Sequence, residues 1–189
     1  MSAGDILLVS EGPDFYARVI RFITRSPIHH AAIDLGNGTA SSAEAPAVKI
    51  KPIREFAHVT RLSIGTPEQK AKVAFHALLM VGRPYSRLGF ILAGLDSLGL
   101  IPRFLQQPLA DLADEFGVTC GSMVDECFLA AGVDLLSGPS GLTWPGELGQ
   151  LLPSEGRHLH FEVLPDGRQW LGFPPGRHTG VDFAGQEES

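Results

Sequence analysis

The chain of 189 residues is 44% hydrophobic and 19% charged, enough apolar material for one core of ordinary size and not for two. Its net charge of -6 and the absence of any Lys/Arg cluster remove the electrostatic hold that a nucleic-acid partner requires.

In chain order, "DILLV" reads as a first strand, and "DFYARVIRFITR" as a helix with Asp14 as cap and Phe15, Val19, Phe22 and Ile23 on one face. The opening residues lack both the basic start and the small-residue cleavage site of a secretory signal, so synthesis in the cytoplasm without that signal is expected. The segment "HHAAIDLGNGTASSAEA" reads as two strands joined at "GNG", where Gly accepts the positive dihedrals of a tight turn. An edge-like "VKIKPI" and a strand "HVTRLSI" follow. In "TPEQKAKVAFHALLMVG", Thr66 is placed to cap a helix, Pro67 to open it and Gln69 to close a capping box.

From Tyr85 to Gly117 the chain is apolar and broken by Gly and Pro, which predicts short helices and loop. Its longest apolar run, Leu88 to Pro102, is too short for a membrane span and contains Asp96, but it suits contact with a lipid surface or a lid. "HLHFEVL" reads as a last strand. The whole predicts an α+β domain over residues 1–171 and a loosely held tail over 172–189.

Cys120, Met123, Val124, Cys127, Phe128 and Ala131 fall on one face of a helix that Thr119 caps and Gly132 stops, with Asp125 and Glu126 on the wet side. Two turns separate the cysteines by about 10 Å, which rules out a disulfide between them. Both read equally as small buried hydrophobes. Only Cys120 sits in the first turn, where free N–H groups and the helix dipole favour a thiolate.

A nucleophile needs a base. His29 and His30 are consecutive in a strand, so alternation sends them to opposite faces and only one can serve; periodicity does not choose. His58 and His76 read as ordinary strand-end and helix residues. His158 and His160 form an H-x-H pair with no third ligand nearby, so no metal is expected.

Taken in order, "GDILLV", "SPIHHAAIDLGNGTASSAEAPAVKI", "GRPYS", "TCGSMVDECFLAAGVDL" and "TWPGELGQ" resemble the NlpC-type papain-like cysteine peptidases and amidases. The resemblance is closest to the circularly permuted branch that includes YiiX-like hydrolases and the lecithin-retinol acyltransferase group, and it runs from about Gly4 to Leu152. It implies a papain-like fold in which an antiparallel sheet packs against helices, with the nucleophile at a helix N-terminus. It also implies Cys120 as nucleophile, His30 as base, Glu44 as the third polar residue, and Tyr85, Gly121 and Ser122 beside the substrate. Gly121 stands where the family commonly carries Ser.

The implied function is cleavage of an amide, in a peptide or acyl-amide substrate such as a cell-wall peptide, through a thioester and with no cofactor. The alternatives are a lipid-directed acyltransferase or thioesterase, with the apolar run as acyl pocket, and a catalytically silent binding module. A cell-wall substrate would require release by lysis or with a phage particle.

Overall fold

The computed structural model describes residues 3–10, 26–136 and 138–152, together with the backbone of two strands at 160–163 and 169–172. The helix expected over 14–25, His158 and the tail beyond 172 lie outside the described residues.

Strands β1 (Ile6–Ser10), β2 (Ile28–Gly36), β3 (Thr39–Glu44), β4 (Ala47–Pro52) and β5 (Val59–Leu62) form an antiparallel sheet in the order β4-β3-β2-β1-β5. Asn37 and Gly38, with φ of 53° and 77°, make the β2–β3 turn, as "GNG" predicts. Short strands β6 (Val133–Asp134), β7 (His160–Val163) and β8 (Gln169–Gly172) form a second sheet in which β8 lies centrally. The molecule is thus α+β, with its main sheet antiparallel.

Helix α1 (Pro67–Leu79) starts as the sequence dictates. Thr66 accepts from the Gln69 N–H, and the Gln69 side chain accepts from the Thr66 N–H at 2.9 Å. The region expected to be short helices and loop holds two well-formed helices, α2 (Arg87–Ser97) and α3 (Arg103–Glu115). They close on a cluster of Leu92, Ile101, Ala110, Ala113 and Leu142, and the Gln106 amide donates to Asp96 across them at 2.8 Å. Among the described residues no helix is long and apolar enough to cross a membrane.

Helix α4 (Cys120–Ala130) is central. Met123, Val124, Cys127 and Phe128 are fully buried against Ile6, Leu8 and Ile33 of the sheet and Val73 and Ala77 of α1. Each such side chain contributes roughly 1.5–3 kcal/mol by leaving water. Alternation turns Leu7, Ala32 and Ala40 to the opposite face of the sheet, where Ile53, Phe56 and Val59 cover them.

One expectation about α4 fails. Asp125 is not on a wet face: it is 4% exposed, because the segment carrying Thr143 packs over the side of the helix away from the sheet. The Thr143 hydroxyl donates to Asp125 at 3.2 Å, and short helix α5 (Pro145–Gln150) follows directly. Burial, with Asp134 nearby, pushes the Asp125 carboxyl up to about 7.

Candidate active site

Cys120 is the first residue of α4. The Thr119 side chain accepts from the Ser122 N–H at 3.1 Å, and the Ser122 hydroxyl accepts from the Thr119 N–H at 2.9 Å. The Met123 N–H donates to the Thr119 carbonyl. The N–H groups of Cys120 and Gly121 face the Cys120 sulfur, as does the N–H of Ala31, the residue after His30 in β2.

The thiol sits in a small pocket of about 50 Å³. His29, His30, Tyr85 and Thr119 line one part of it, and Phe90, Trp144 and Pro145 form an apolar wall. The Phe90 and Trp144 rings are 5.3 Å apart. Cys120 is 6% exposed, and burial pushes its thiol up to about 11 despite the three N–H groups that favour the thiolate. The expectation that the helix N-terminus ionises the sulfur is therefore reversed in the resting protein, because the loss of solvent outweighs the dipole.

The two histidines also depart from expectation. Val9 pairs with His30 and Ser10 with Ile28, which leaves His29 as the extra residue of a β-bulge. The bulge breaks strict alternation, and both rings line the pocket. His30 Nε2 lies 2.8 Å from the Ser42 hydroxyl, which donates to Glu44 Oε1 at 2.9 Å. A hydroxyl that gives its proton to Glu44 accepts from His30, so Nε2 carries the imidazole proton and Nδ1 is left as the free base. Phe56 stacks on the His30 ring at 5.9 Å, and Lys51 lies over Phe56 at 4.6 Å. Burial drives the His30 imidazole down to about 4, against the pull of Glu44, so the ring is neutral at neutral pH.

Glu44 lies 3.8 Å from His30 Nε2 and does not bond it directly. Although partial burial alone would raise its pKa, Lys49 and Lys51, each at 2.9 Å, together with His30 and Ser42, hold the carboxyl at about 2. Ser42, Lys49 and Lys51 went unread in the sequence. The register that pairs Ala32 with Ser42, carried two residues on, sets Glu44 opposite His30 and Ser42 diagonal to it.

Tyr85 reaches the pocket because its N–H donates to the Pro46 carbonyl and its backbone bridges to Val118, just ahead of α4. Burial, then Cys120 and Glu44, raise the phenol well above its usual range, so it remains a hydrogen-bond donor. Gly121 and Ser122 do not line the pocket. Ser122 is 1% exposed and occupied in the capping box. A Cβ on Gly121 would stand 2.2 Å from the Thr143 carbonyl oxygen, so glycine here lets the Thr143–Trp144 backbone seat against the first turn of α4. Phe90 and Trp144 were missed because nothing local in the sequence ties α2 or the "TWPG" segment to Cys120.

Among the described residues no three His, Cys, Asp or Glu side chains converge as a metal would require. No protein-family model matches the chain, and no curated protein matches it.

Proposed function

We propose that the protein is a cysteine hydrolase that cleaves an amide bond through a thioester on Cys120, on a permuted papain-like fold. The observation that carries this reading is the convergence on one pocket of a thiol at a helix N-terminus and an imidazole whose Nε2 is bonded through Ser42 to an ionised Glu44. The order of motifs along the chain supports it, since His30 precedes Cys120 as in the permuted branch that the sequence resembles.

The chemistry starts from a neutral pair. As Sγ attacks the substrate carbonyl carbon, His30 Nδ1 takes the thiol proton, and Ser42 and Glu44 stabilise the imidazolium that forms. The carbonyl oxygen, now negative, accepts from the N–H groups of Cys120 and Gly121, which turn to it from the sulfur at the helix N-terminus. His30 returns the proton to the nitrogen as the C–N bond breaks, and an amine leaves. Water then gives a proton to His30 and attacks the thioester; the acid departs and the thiol is restored.

The substrate class implied by the resemblance is a peptide amide, with cell-wall peptides first. The apolar wall of Phe90, Trp144 and Pro145 favours a second reading, in which an acyl chain is transferred or hydrolysed by the same atoms. Incubation with muropeptides and with short acyl esters, followed by intact-mass measurement, distinguishes the two by which one turns over and which leaves an acyl adduct on Cys120. His30→Ala and Cys120→Ala should each lower turnover by about 10³-fold or more, whereas His29→Ala should lower it less than about tenfold. Neither substrate reacting, with no adduct on Cys120, would leave only a binding module of the same fold.

A further inference from the structure

Ser42, Glu44, Lys51 and Phe56 link into a circuit that begins and ends on the His30 ring. The imidazole reaches Glu44 through Ser42, and the Lys51 ammonium donates to the same carboxylate oxygen, Oε1, at 2.9 Å. That ammonium also lies 4.6 Å from the centre of the Phe56 ring, which stacks on the imidazole at 5.9 Å. The register of β4 makes the circuit possible. Lys49 pairs with Ser42 and Lys51 with Ala40, so alternation brings both lysines to the face that holds Ser42 and Glu44. The single turn at Ile53–Glu55 then returns the chain so that Phe56 covers the same face, against Leu7, Ala32 and Ala40.

Charge in the circuit opposes protonation of the ring. Lys49 donates to Glu44 Oε2 at 2.9 Å, so two ammonium groups on one carboxylate leave the cluster one positive charge in excess. An oxygen that already accepts from an ammonium also pulls less on the Ser42 hydroxyl, which weakens the hold of Glu44 on an imidazolium. The groups that face His30 are Glu44 on β3, Lys49 and Lys51 on β4 and His29 beside it in β2, with Cys120 and Tyr85 lining the same pocket. Burial is the largest influence keeping the ring neutral and Glu44 opposes it; His29, Lys51 and Lys49 act with burial. Of the two lysines, Lys51 is the better placed. Its side chain is 18% exposed and held between Glu44 and Phe56, whereas that of Lys49 is 49% exposed and screened by water.

We propose that Lys51 is a positioning residue of the site: held between Glu44 Oε1 and the Phe56 ring, its ammonium fixes the imidazole against Phe56 and opposes a charge on it, so that His30 rests as a neutral base. The inference deepens the reading of His30 as the base of Cys120 and rests on it for its meaning in catalysis, but its test reads the imidazole itself and needs no turnover.

The test is NMR of the His30 ring in the full chain, its nitrogen and carbon signals identified as those missing from His30→Ala. At about pH 5 the unaltered chain should show a neutral ring with its proton on Nε2. Lys51→Met, which keeps most of the stem and removes the charge, should raise the midpoint of titration from about 4 by about one pH unit, so that about half of the rings are charged at that pH. Lys51→Arg keeps the cation and should leave the ring neutral there, and Lys49→Met should move the midpoint less than half as far. Circular dichroism at the same pH checks that each variant is folded, and Lys51→Gln replaces Lys51→Met if that one is not. A midpoint unmoved by Lys51→Met overturns the proposal, as does a ring charged at that pH in the unaltered chain or in Lys51→Arg. An equal shift from Lys49→Met overturns it too, by spreading the effect over the whole charge of β4. With muropeptides or short acyl esters, the acid limb of kcat/KM should move up with the midpoint; a shifted midpoint with no turnover by the unaltered chain would leave the role of Lys51 standing and remove the reading of Cys120 as a nucleophile.

Discussion

His30 and Glu44 face each other across β2 and β3 without touching: the Ser42 hydroxyl stands between them, 2.8 Å from the ring nitrogen and 2.9 Å from the carboxylate. Ser42 is fully buried, so no water replaces it easily. Its removal leaves the imidazole N–H without an acceptor and frees the ring to choose the other tautomer. Ser42→Ala is expected to lower kcat by about 10²-fold while KM stays within about twofold. Ser42→Thr, which keeps the hydroxyl, should recover most of the loss; equal loss in both variants would reduce Ser42 to a packing residue.

The buried thiol makes a prediction about reactivity with pH. With its pKa pushed up to about 11, Cys120 holds less thiolate at neutral pH than a free cysteine, and its alkylation by iodoacetamide should keep rising beyond about pH 10. Cys127, pushed up to about 12 and outside the pocket, should react more slowly still. Peptide mapping of labelled protein across pH separates the two. An inflection for Cys120 below the free-thiol value would mean that the N–H groups at the helix end outweigh burial after all. On the acid side His30 must be neutral to accept a proton, so kcat/KM should fall as pH drops through about 4.

Gly121→Ser puts a side chain where the Thr143 carbonyl oxygen stands 2.2 Å from an ideal Cβ. Backbone cannot retreat as a flexible side chain can, so the Thr143–Trp144 segment must move away from α4 and the pocket wall with it. The expected cost is about 3 kcal/mol in urea-unfolding stability, with turnover reduced as well. Stability unchanged within about 0.5 kcal/mol would show that this segment is not seated as described.

Asp125 and Glu147 are both buried carboxylates, each pushed up to about 7 chiefly by burial. The unfolded chain ionises such groups near pH 4 while the folded chain keeps them protonated, so the unfolded state binds fewer protons from about pH 4 to 7 and stability falls over that interval. Asp125→Asn keeps an acceptor for the Thr143 hydroxyl, and Glu147→Gln keeps one for the Trp144 N–H at 2.9 Å. Each variant should flatten the decline and raise Tm by the order of 5 °C at about pH 8, with little change near pH 4. Thermal melts across that range decide it; a Tm lowered at pH 8 would show that the native carboxylates are charged and usefully bonded.

The parts legible in the sequence are those fixed by neighbours along the chain. The capping box of Thr66 and Gln69, the tight turn at Asn37–Gly38 and the start of α4 at Thr119–Cys120 each depend on backbone groups within four residues, and each appears where the sequence predicts it. The proximity of Glu44 to His30 needs that turn and one thing more: the register shifts between Asp34 and Gly36, and without that shift Ala45 rather than Glu44 would stand opposite His30. What only the tertiary structure decided concerns burial and encounters between distant segments. Helical periodicity assigned Asp125 to water because a pattern cannot reveal that a second layer, carrying Thr143, covers the other side of α4. Alternation separated His29 from His30 because the bulge opposite Ser10 arises in the pairing with β1, not in β2 itself. The helix dipole promised a charged sulfur, and desolvation, a sum over every atom packed around Cys120, reversed its sign. Short-range geometry is written residue by residue; solvent exclusion belongs to no single residue, and so it emerges only when the chain is folded.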